Sequence, residues 1–300
     1  MNAEATVGDP LAQVSHEAGA AKPDPILSCE NISRSFGGLR AVDVDRLEVQ
    51  RGVITALIGP NGAGKTTFFN LISGFDRPNT GKWSFNGEDL GGVSAHQIAR
   101  RGMVRTFQLT KALARLSVIE NMRLGATAQA GESVWKALVP PLWRNQEQEI
   151  TERADELLER FNLVRVRDDF AGELSGGQRK LLEMARALMS RPEMVLLDEP
   201  TAGVNPALKQ SLLEKVREVL ADGTTVMFVE HDMDMVRDIS DWVVVMGEGK
   251  VIAEGTHETI GRNTTVIDAY LGTHHDQPLS FEEEQATLAE ADRAIEGESA

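Results

Sequence analysis

The sequence predicts an α/β fold: a mainly parallel sheet, an antiparallel β-subdomain and an inserted α-helical subdomain. Three observations lead there. Compact apolar runs bounded by turn or charged residues alternate with helix-period segments, as in strands buried on both faces. Near the start, β-prone runs are instead separated by paired turn residues. A long central stretch carries helix signals and no strand run. At 300 residues, 41% hydrophobic and 26% charged, the chain has the composition of an ordinary folded protein, neither disordered nor fibrous.

Residues 1–25 are rich in Ala, Gly, Pro and acidic residues without periodicity and are expected to form a flexible leader. Over residues 27–53, β-prone runs and the turn signals Gly37-Gly38 and Arg51-Gly52 predict a small antiparallel sheet, joined by residues 83–85 and the Asn86-Gly87 turn. Four apolar runs, 54–58, 194–197, 224–229 and 242–246, are the buried strands. Helices are expected over 66–73, stopped by Gly74; over 176–190, with Leu181, Leu182, Ala185, Leu188 and Met189 on one face; and over 206–221, ended by Asp222-Gly223. Between Gln108 and Ser175 the signals are helical, with a capping box at Ser117 and Glu120 and an amphipathic run over 150–161. This sets the insertion at about 109–190, inside a domain of residues 26–272. An acidic tail, 273–300, follows, where Ser280 and Glu283 offer a local helix cue.

Charge and cysteine content narrow the function. Net charge is -15, with -3 in residues 1–25, -7 in residues 273–300 and -5 between them. A near-neutral body with acidic ends lacks the basic face that nucleic acid requires, so no nucleic-acid partner is expected. A single cysteine, Cys29, rules out an intramolecular disulfide and a Cys-based zinc site. No apolar stretch nears the roughly 18 residues needed to span a bilayer, and the start lacks the pattern of a secretory leader; a cytosolic chain is expected.

Three motifs carry chemistry. Gly59-Pro60-Asn61-Gly62-Ala63-Gly64-Lys65-Thr66 satisfies G-x-x-x-x-G-K-[ST] between a predicted strand and a predicted helix, the context this phosphate loop needs, and makes the core a P-loop NTPase. Its backbone N–H groups converge on one anion at a helix N-terminus, Lys65 reaches the β- and γ-phosphates, and Thr66 offers its oxygen to Mg²⁺. Asp198 and Glu199 end a buried strand, where open α/β sheets bind ligands. Asp198 suits the Mg²⁺ water shell and Glu199 suits a general base on water. Leu174-Ser175-Gly176-Gly177-Gln178 opens a helix, with Ser175 as N-cap and two glycines that leave their N–H groups uncovered by side chains.

Together these motifs resemble the ATP-binding subunits of ABC transporters over about residues 27–272, with LSGGQ placed before a strand ending Asp-Glu as the most specific feature. The resemblance implies ATP and Mg²⁺ as cofactors. It implies a phosphate loop over residues 59–66 extended by Thr67, a Mg²⁺- or water-contacting Gln108, a signature at Ser175, Gly176, Gly177 and Gln178, a metal carboxylate at Asp198, a general base at Glu199 and a switch histidine at His231. It further implies a head-to-tail pair of ATPase subunits, in which Ser175 and Gly177 reach the γ-phosphate held by the opposite subunit. Phe36 matches the family's adenine-stacking aromatic, with a core role as the rival reading. Where many members carry Asp after the catalytic strand, this chain has Ala202-Gly203-Val204-Asn205, and Asn205-Pro206 reads as N-cap and first helical residue.

Within the family, Arg105-Thr106-Phe107-Gln108, Leu71-Ile72-Ser73-Gly74-Phe75, the long insertion and Ala269-Tyr270-Leu271-Gly272 resemble the ATPases of branched-chain amino-acid importers. Urea or other small-solute importers share much of this pattern. That type implies two hydrophobic permease subunits on other chains, a second ATPase subunit that is the same or a related chain, an indirect extracytoplasmic solute-binding protein, and a peripheral place on the cytoplasmic face of the cell membrane. A soluble ABC ATPase of translation or DNA repair is the alternative class, though such proteins usually carry two nucleotide units or long coiled coils. The apolar stretch 134–143, with Trp135 and Trp143, is either a partner or membrane contact or a segment packed on the helical subdomain, and Pro140-Pro141 is expected to prevent a continuous helix there.

Overall fold

The computed structural model describes residues 10–106, 114–126 and 140–272. Two sheets form its frame. The first is antiparallel, built from β1 (Pro25–Phe36), β2 (Leu39–Gln50), β4 (Thr80–Phe85) and β5 (Glu88–Asp89) in the order β2-β1-β4-β5. The expected short runs are in fact two twelve-residue strands turned at Gly37-Gly38. The second sheet runs β10 (Lys250–Gly255), β9 (Trp242–Gly247), β3 (Ile54–Ile58), β8 (Thr225–Val229), β7 (Met194–Asp198), β6 (Met103–Arg105). It is parallel except for the β9–β10 hairpin. The four apolar runs are its four inner strands.

Neither β6 nor β10 stood out in the sequence. β6 has three residues, and β10 carries Lys250 and Glu254 as an outer strand. Strand alternation sends side chains to both faces. Ile54, Ala56, Ile58, Val195, Leu197, Val226 and Phe228 join the helical side; Leu57, Leu196, Met227 and Val229 join the side shared with the first sheet. Between the sheets lie α1 (Lys65–Ile72) and α2 (Ala95–Arg100), which bury Phe68, Phe69, Leu71, Ile72 and Ile98 there.

The opposite face receives α3 (Val118–Leu124), α4 (Pro140–Arg160), α5 (Gly176–Leu188), α6 (Pro206–Ala221) and α7 (Met233–Ile239), with α8 (His257–Ile260) and α9 (Thr264–Gly272) closing the chain. The predicted face of α5 is buried at Leu181, Leu182, Ala185 and Leu188. The capping box is formed: Glu120 Oε2 accepts from Ser117 N–H at 2.7 Å, and Ser117 Oγ accepts from Glu120 N–H at 3.3 Å. Pro140 and Pro141 are the first residues of α4, and residues 134–139, the rest of the stretch in which the pair was expected to prevent a continuous helix, lie outside the described residues. A proline in the first turn needs no intrahelical N–H partner, so α4 starts there, ten residues before the amphipathic run. Trp143 falls in that first turn, and Trp135 lies outside the described residues.

The flexible leader is corrected by the packing of its second half. Leu11, Val14 and Ala20 are buried, and Lys22 forms a buried ion pair with Glu254 of β10 at 2.6 Å. Lys22 N–H donates to Glu48 Oε2 at 2.7 Å and Asp24 N–H to Gln50 Oε1 at 3.0 Å. Residues 10–24 thus form a strap joining β2 and β10, the outer strands of the two sheets.

Candidate nucleotide site

Register sets the site. Leu57 and Asp198 both pair with Val229, so the C-terminal ends of β3, β7 and β8 are level. The phosphate loop, Glu199 and Glu230 therefore leave the sheet along one edge, where ligands enter open α/β folds.

The loop's backbone is dictated by packing as well as by anion chemistry. Gly64 has φ 96°, and a Cβ there would lie 2.3 Å from the Ala41 carbonyl oxygen. At Gly59 it would lie 2.1 Å from the Met246 carbonyl oxygen. Ala63 is buried between these anchors and its carbonyl accepts from Gly249 N–H at 3.0 Å, while Asn61 and Gly62 are exposed and Pro60 is half-buried. Lys65 Nζ folds back to donate to Gly59 O at 2.6 Å and Pro60 O at 2.9 Å. Burial pushes the Lys65 pKa down and the nearby Glu199 carboxylate opposes that shift, which places both groups in one electrostatic neighbourhood. Thr66 is exposed on the first turn of α1, and Thr67 is half-buried beside it. Tyr270 of α9 is half-buried beside the loop; burial raises its pKa, and a backbone hydrogen bond from Gly59 works against this.

Asp198 closes β7 in a 2.6 Å ion pair with Arg105. Glu199 is held in the left-handed region at φ 45°, a conformation that costs an L-residue about 1–3 kcal/mol and that clusters at functional sites. Its N–H donates to Val229 O at 3.1 Å and its carbonyl accepts from Lys180 Nζ at 3.2 Å. Glu230, buried after β8, accepts from Thr201 N–H at 2.9 Å, Thr201 Oγ1 at 2.6 Å and His231 N–H at 3.2 Å. It links the backbone beyond Glu199 to His231, whose side chain is 68% exposed. Asp232 caps α7 and pairs with Lys209; that hydrogen bond, with Met235 N–H, holds its carboxyl below the usual carboxylate range.

At α5, Ser175 Oγ accepts from Gln178 N–H at 3.3 Å and Gln178 Oε1 accepts from Ser175 N–H at 2.9 Å. Gln178, expected in the nucleotide-binding set, has its side-chain oxygen committed to this reciprocal cap. Ser175 and Gly176 are exposed. Gly177 is buried, and a Cβ on it would lie 1.7 Å from Leu208 Cδ2 of α6, so its lack of a side chain serves helix packing too. Asn205 Oδ1 accepts from Leu208 N–H at 2.9 Å as the expected N-cap ahead of Pro206. Phe36 is 49% exposed at the β1–β2 turn, with the Arg34 guanidinium 4.6 Å from its ring centroid; it is not a core residue. Gln108 lies outside the described residues.

Lys65, Asp198 and Glu199 thus come together as the motifs implied. Arg105, Lys180 and Glu230 were missed. Arg105 stood inside the motif ending at Gln108, and Glu230 stood beside His231, but their partners are remote in sequence. The donors suit Mg²⁺: one carboxylate and one hydroxyl are hard oxygen ligands, and this ion completes its shell with water and phosphate oxygens rather than an all-protein cage.

A β-side cleft adjoins the site. It encloses about 270 Å³ between β6 and α2 on one side and α3 and α5 on the other, lined among others by Thr106, Leu124, Glu183, Arg186 and Ala187. Leu124 is 58% exposed. No helix among the described residues is long and apolar enough to cross a membrane.

Comparison with known proteins gives the following matches. The ABC transporter family model matches residues 42–202, and the model for branched-chain amino acid ATP-binding cassette transporters matches residues 250–276. A probable branched-chain amino acid transport ATP-binding protein LivG of Archaeoglobus fulgidus is 44% identical over 247 residues, covering 82% of this chain and 95% of the relative. The high-affinity branched-chain amino acid transport ATP-binding protein BraF of Pseudomonas aeruginosa is 40% identical over 250 residues, covering 83% and 98%. The crystal structure of a nucleotide-free ATP-binding cassette from an ABC transporter superposes with a TM-score of 0.73 at 38% identity, covering 82% of this chain and 98% of that one.

Proposed function

This chain belongs to the ABC transporter family of ATP-binding cassettes, and from that premise we propose that it is the ATP-hydrolysing subunit that powers an importer of branched-chain amino acids. The observation that carries this reading is the convergence of Lys65, Asp198 and the strained Glu199 at one sheet edge, in a chain whose relatives of 40–44% identity bear that transport name.

In this reading the N–H groups of residues 61–66 and Lys65 Nζ grip the β- and γ-phosphates, and Lys65 exchanges its two loop carbonyls for phosphate oxygens. Thr66 and Asp198 hold Mg²⁺, which neutralises part of the triphosphate charge when bound. Glu199 takes the proton of the attacking water, its direction set by its left-handed backbone and by the Lys180 contact to its carbonyl. His231 and Gln108 reach the γ-phosphate and its water, and Phe36 stacks on adenine.

The second half of the site comes from an opposite ATPase subunit, same or related, whose Ser175, Gly176 and Gly177 offer a helix N-terminus to the γ-phosphate. Hydrolysis removes the charge that this terminus neutralises, and the pair opens. The cleft beside β6, with exposed Leu124 at its wall, receives a cytoplasmic segment of two hydrophobic permease subunits, which hold the chain peripherally at the cytoplasmic face. An extracytoplasmic solute-binding protein would meet the permease, not this chain. Residues 26–272 form the ATPase domain, with the helical subdomain at about 109–190.

The test pairs chemistry with assembly. Glu199→Gln is expected to lower phosphate release by about 10²–10⁴-fold while ATP binding persists, and the chain is expected to co-purify from detergent-solubilised membranes with two hydrophobic polypeptides. Co-purification with ribosomes or DNA instead would overturn the transport role, and unchanged turnover in Glu199→Gln would overturn the assigned base.

A further inference from the structure

Arg105, the last residue of β6, ties three elements together. Its Nη2 donates to Asp198 Oδ2 at 2.6 Å, and its Nη1 donates to Asn70 Oδ1 at 2.6 Å and to Ser73 Oγ at 3.3 Å. The guanidinium carbon lies 5.7 Å from the Phe69 ring centroid, and the side chain is 6% exposed. Asn70 lies one turn beyond Thr66 on α1, and Ser73 caps that helix. One planar fork therefore spans the helix that carries Lys65 and Thr66 and the strand that ends in Asp198. A lysine ammonium, a compact point charge, does not reproduce that bidentate bridge.

The same residue lines the cleft between β6 and the helical subdomain, as does Thr106, whose N–H continues the β6–β7 ladder by donating to Leu196 O at 2.9 Å. A displacement of β6 relative to β7, driven by whatever fills the cleft, would pull on Asp198 through a short charge-assisted bond. We propose that Arg105 is a positioning residue that holds Asp198 in register with Thr66 and relays the state of the cleft to that carboxylate. This rests on the reading of Asp198 as the magnesium carboxylate and of the cleft as the permease contact.

The experiment measures binding of a fluorescent ATP analogue to the full chain, with and without Mg²⁺, in the parent, Arg105→Gln, Arg105→Lys, Asp198→Asn and the Arg105→Gln/Asp198→Asn double variant. In the absence of metal, Arg105→Gln is expected to bind nucleotide within about twofold of the parent, because the phosphate loop is untouched. The Mg²⁺ concentration for half-maximal enhancement is expected to rise about tenfold, the usual loss when the partner of a metal ligand is removed. Arg105→Lys gives an intermediate value, and the double variant is no worse than Asp198→Asn, because Arg105 acts through that residue. In membranes with the permease, Arg105→Gln loses a larger fraction of substrate-stimulated than of basal ATPase.

Unchanged Mg²⁺ dependence in Arg105→Gln, additive losses in the double variant, or an equal loss of metal-free nucleotide binding would each overturn the relay. A parent chain whose nucleotide binding does not respond to Mg²⁺ would instead count against the ATPase reading itself.

Discussion

Replacing Lys22 by methionine removes a buried cation from the point where the strap meets the two sheets. Lys22 and Glu254 side chains are each 1% exposed. The Glu254 carboxylate also accepts from Trp242 Nε1 at 2.8 Å and Ala20 N–H at 2.7 Å, while Lys22 Nζ donates to Ala20 O at 2.9 Å and lies 4.7 Å from the Trp242 ring centroid. Breaking a buried pair by deleting one partner costs about 3–5 kcal/mol, because the remaining charge keeps its desolvation penalty. Two N–H donors stay on Glu254 and methionine fills most of the vacated volume, so the lower end, about 3 kcal/mol, is expected. For a domain of this size each kcal/mol moves Tm by about 2–4 °C, giving a fall of about 6–12 °C in a circular-dichroism melt at pH 7. Lys22→Met with Glu254→Gln buries no net charge and is expected to recover at least half of that loss. Because the pair is shielded from water, about 0.5 M salt changes the difference little. A fall of less than about 2 °C in the single variant, a double variant no better than the single, or a loss erased by salt would refute the buried strap.

Gly177→Ala is expected to destabilise the chain by about 1–3 kcal/mol in urea, since its Cβ would overlap Leu208 Cδ2 at 1.7 Å; Gly177→Ala with Leu208→Ala restores most of the midpoint. Lys65→Met keeps the fold, because Nζ bonds only loop carbonyls, but weakens ATP binding about 10- to 100-fold in a fluorescent-nucleotide titration, the worth of charge-assisted bonds of about 1.5–3 kcal/mol. Asp232→Ala loses an N-cap and the Lys209 contact, at a cost of about 1 kcal/mol near neutral pH. The folded-state pKa of Asp232 is depressed, so its stabilisation is present above the unfolded value near 3.9 and fades as pH falls through the folded one; the parent–variant gap in denaturant midpoint should narrow progressively as the pH is lowered below that unfolded value.

Much of the fold was legible because its signals are local. The four apolar runs became the inner strands, since a strand covered on both faces has no polar alternation to display. Capping at Ser117, Ser175 and Asn205 is written within three residues of each helix start.

By itself, the sequence determined the motifs from which the proposed site is built: the glycine-rich loop ahead of Lys65, the carboxylates at the end of β7 and the capped helix at Ser175 all depend on neighbours a few positions away. Tertiary structure alone decided that Arg105 bridges 93 residues to Asp198, that Lys22 reaches 232 residues to Glu254, and that Gly177 must be bare to admit Leu208. The physical reason is range. Turn, cap and periodicity preferences are properties of short segments, whereas a buried charge or a bare glycine depends on which distant side chain the completed fold brings against it.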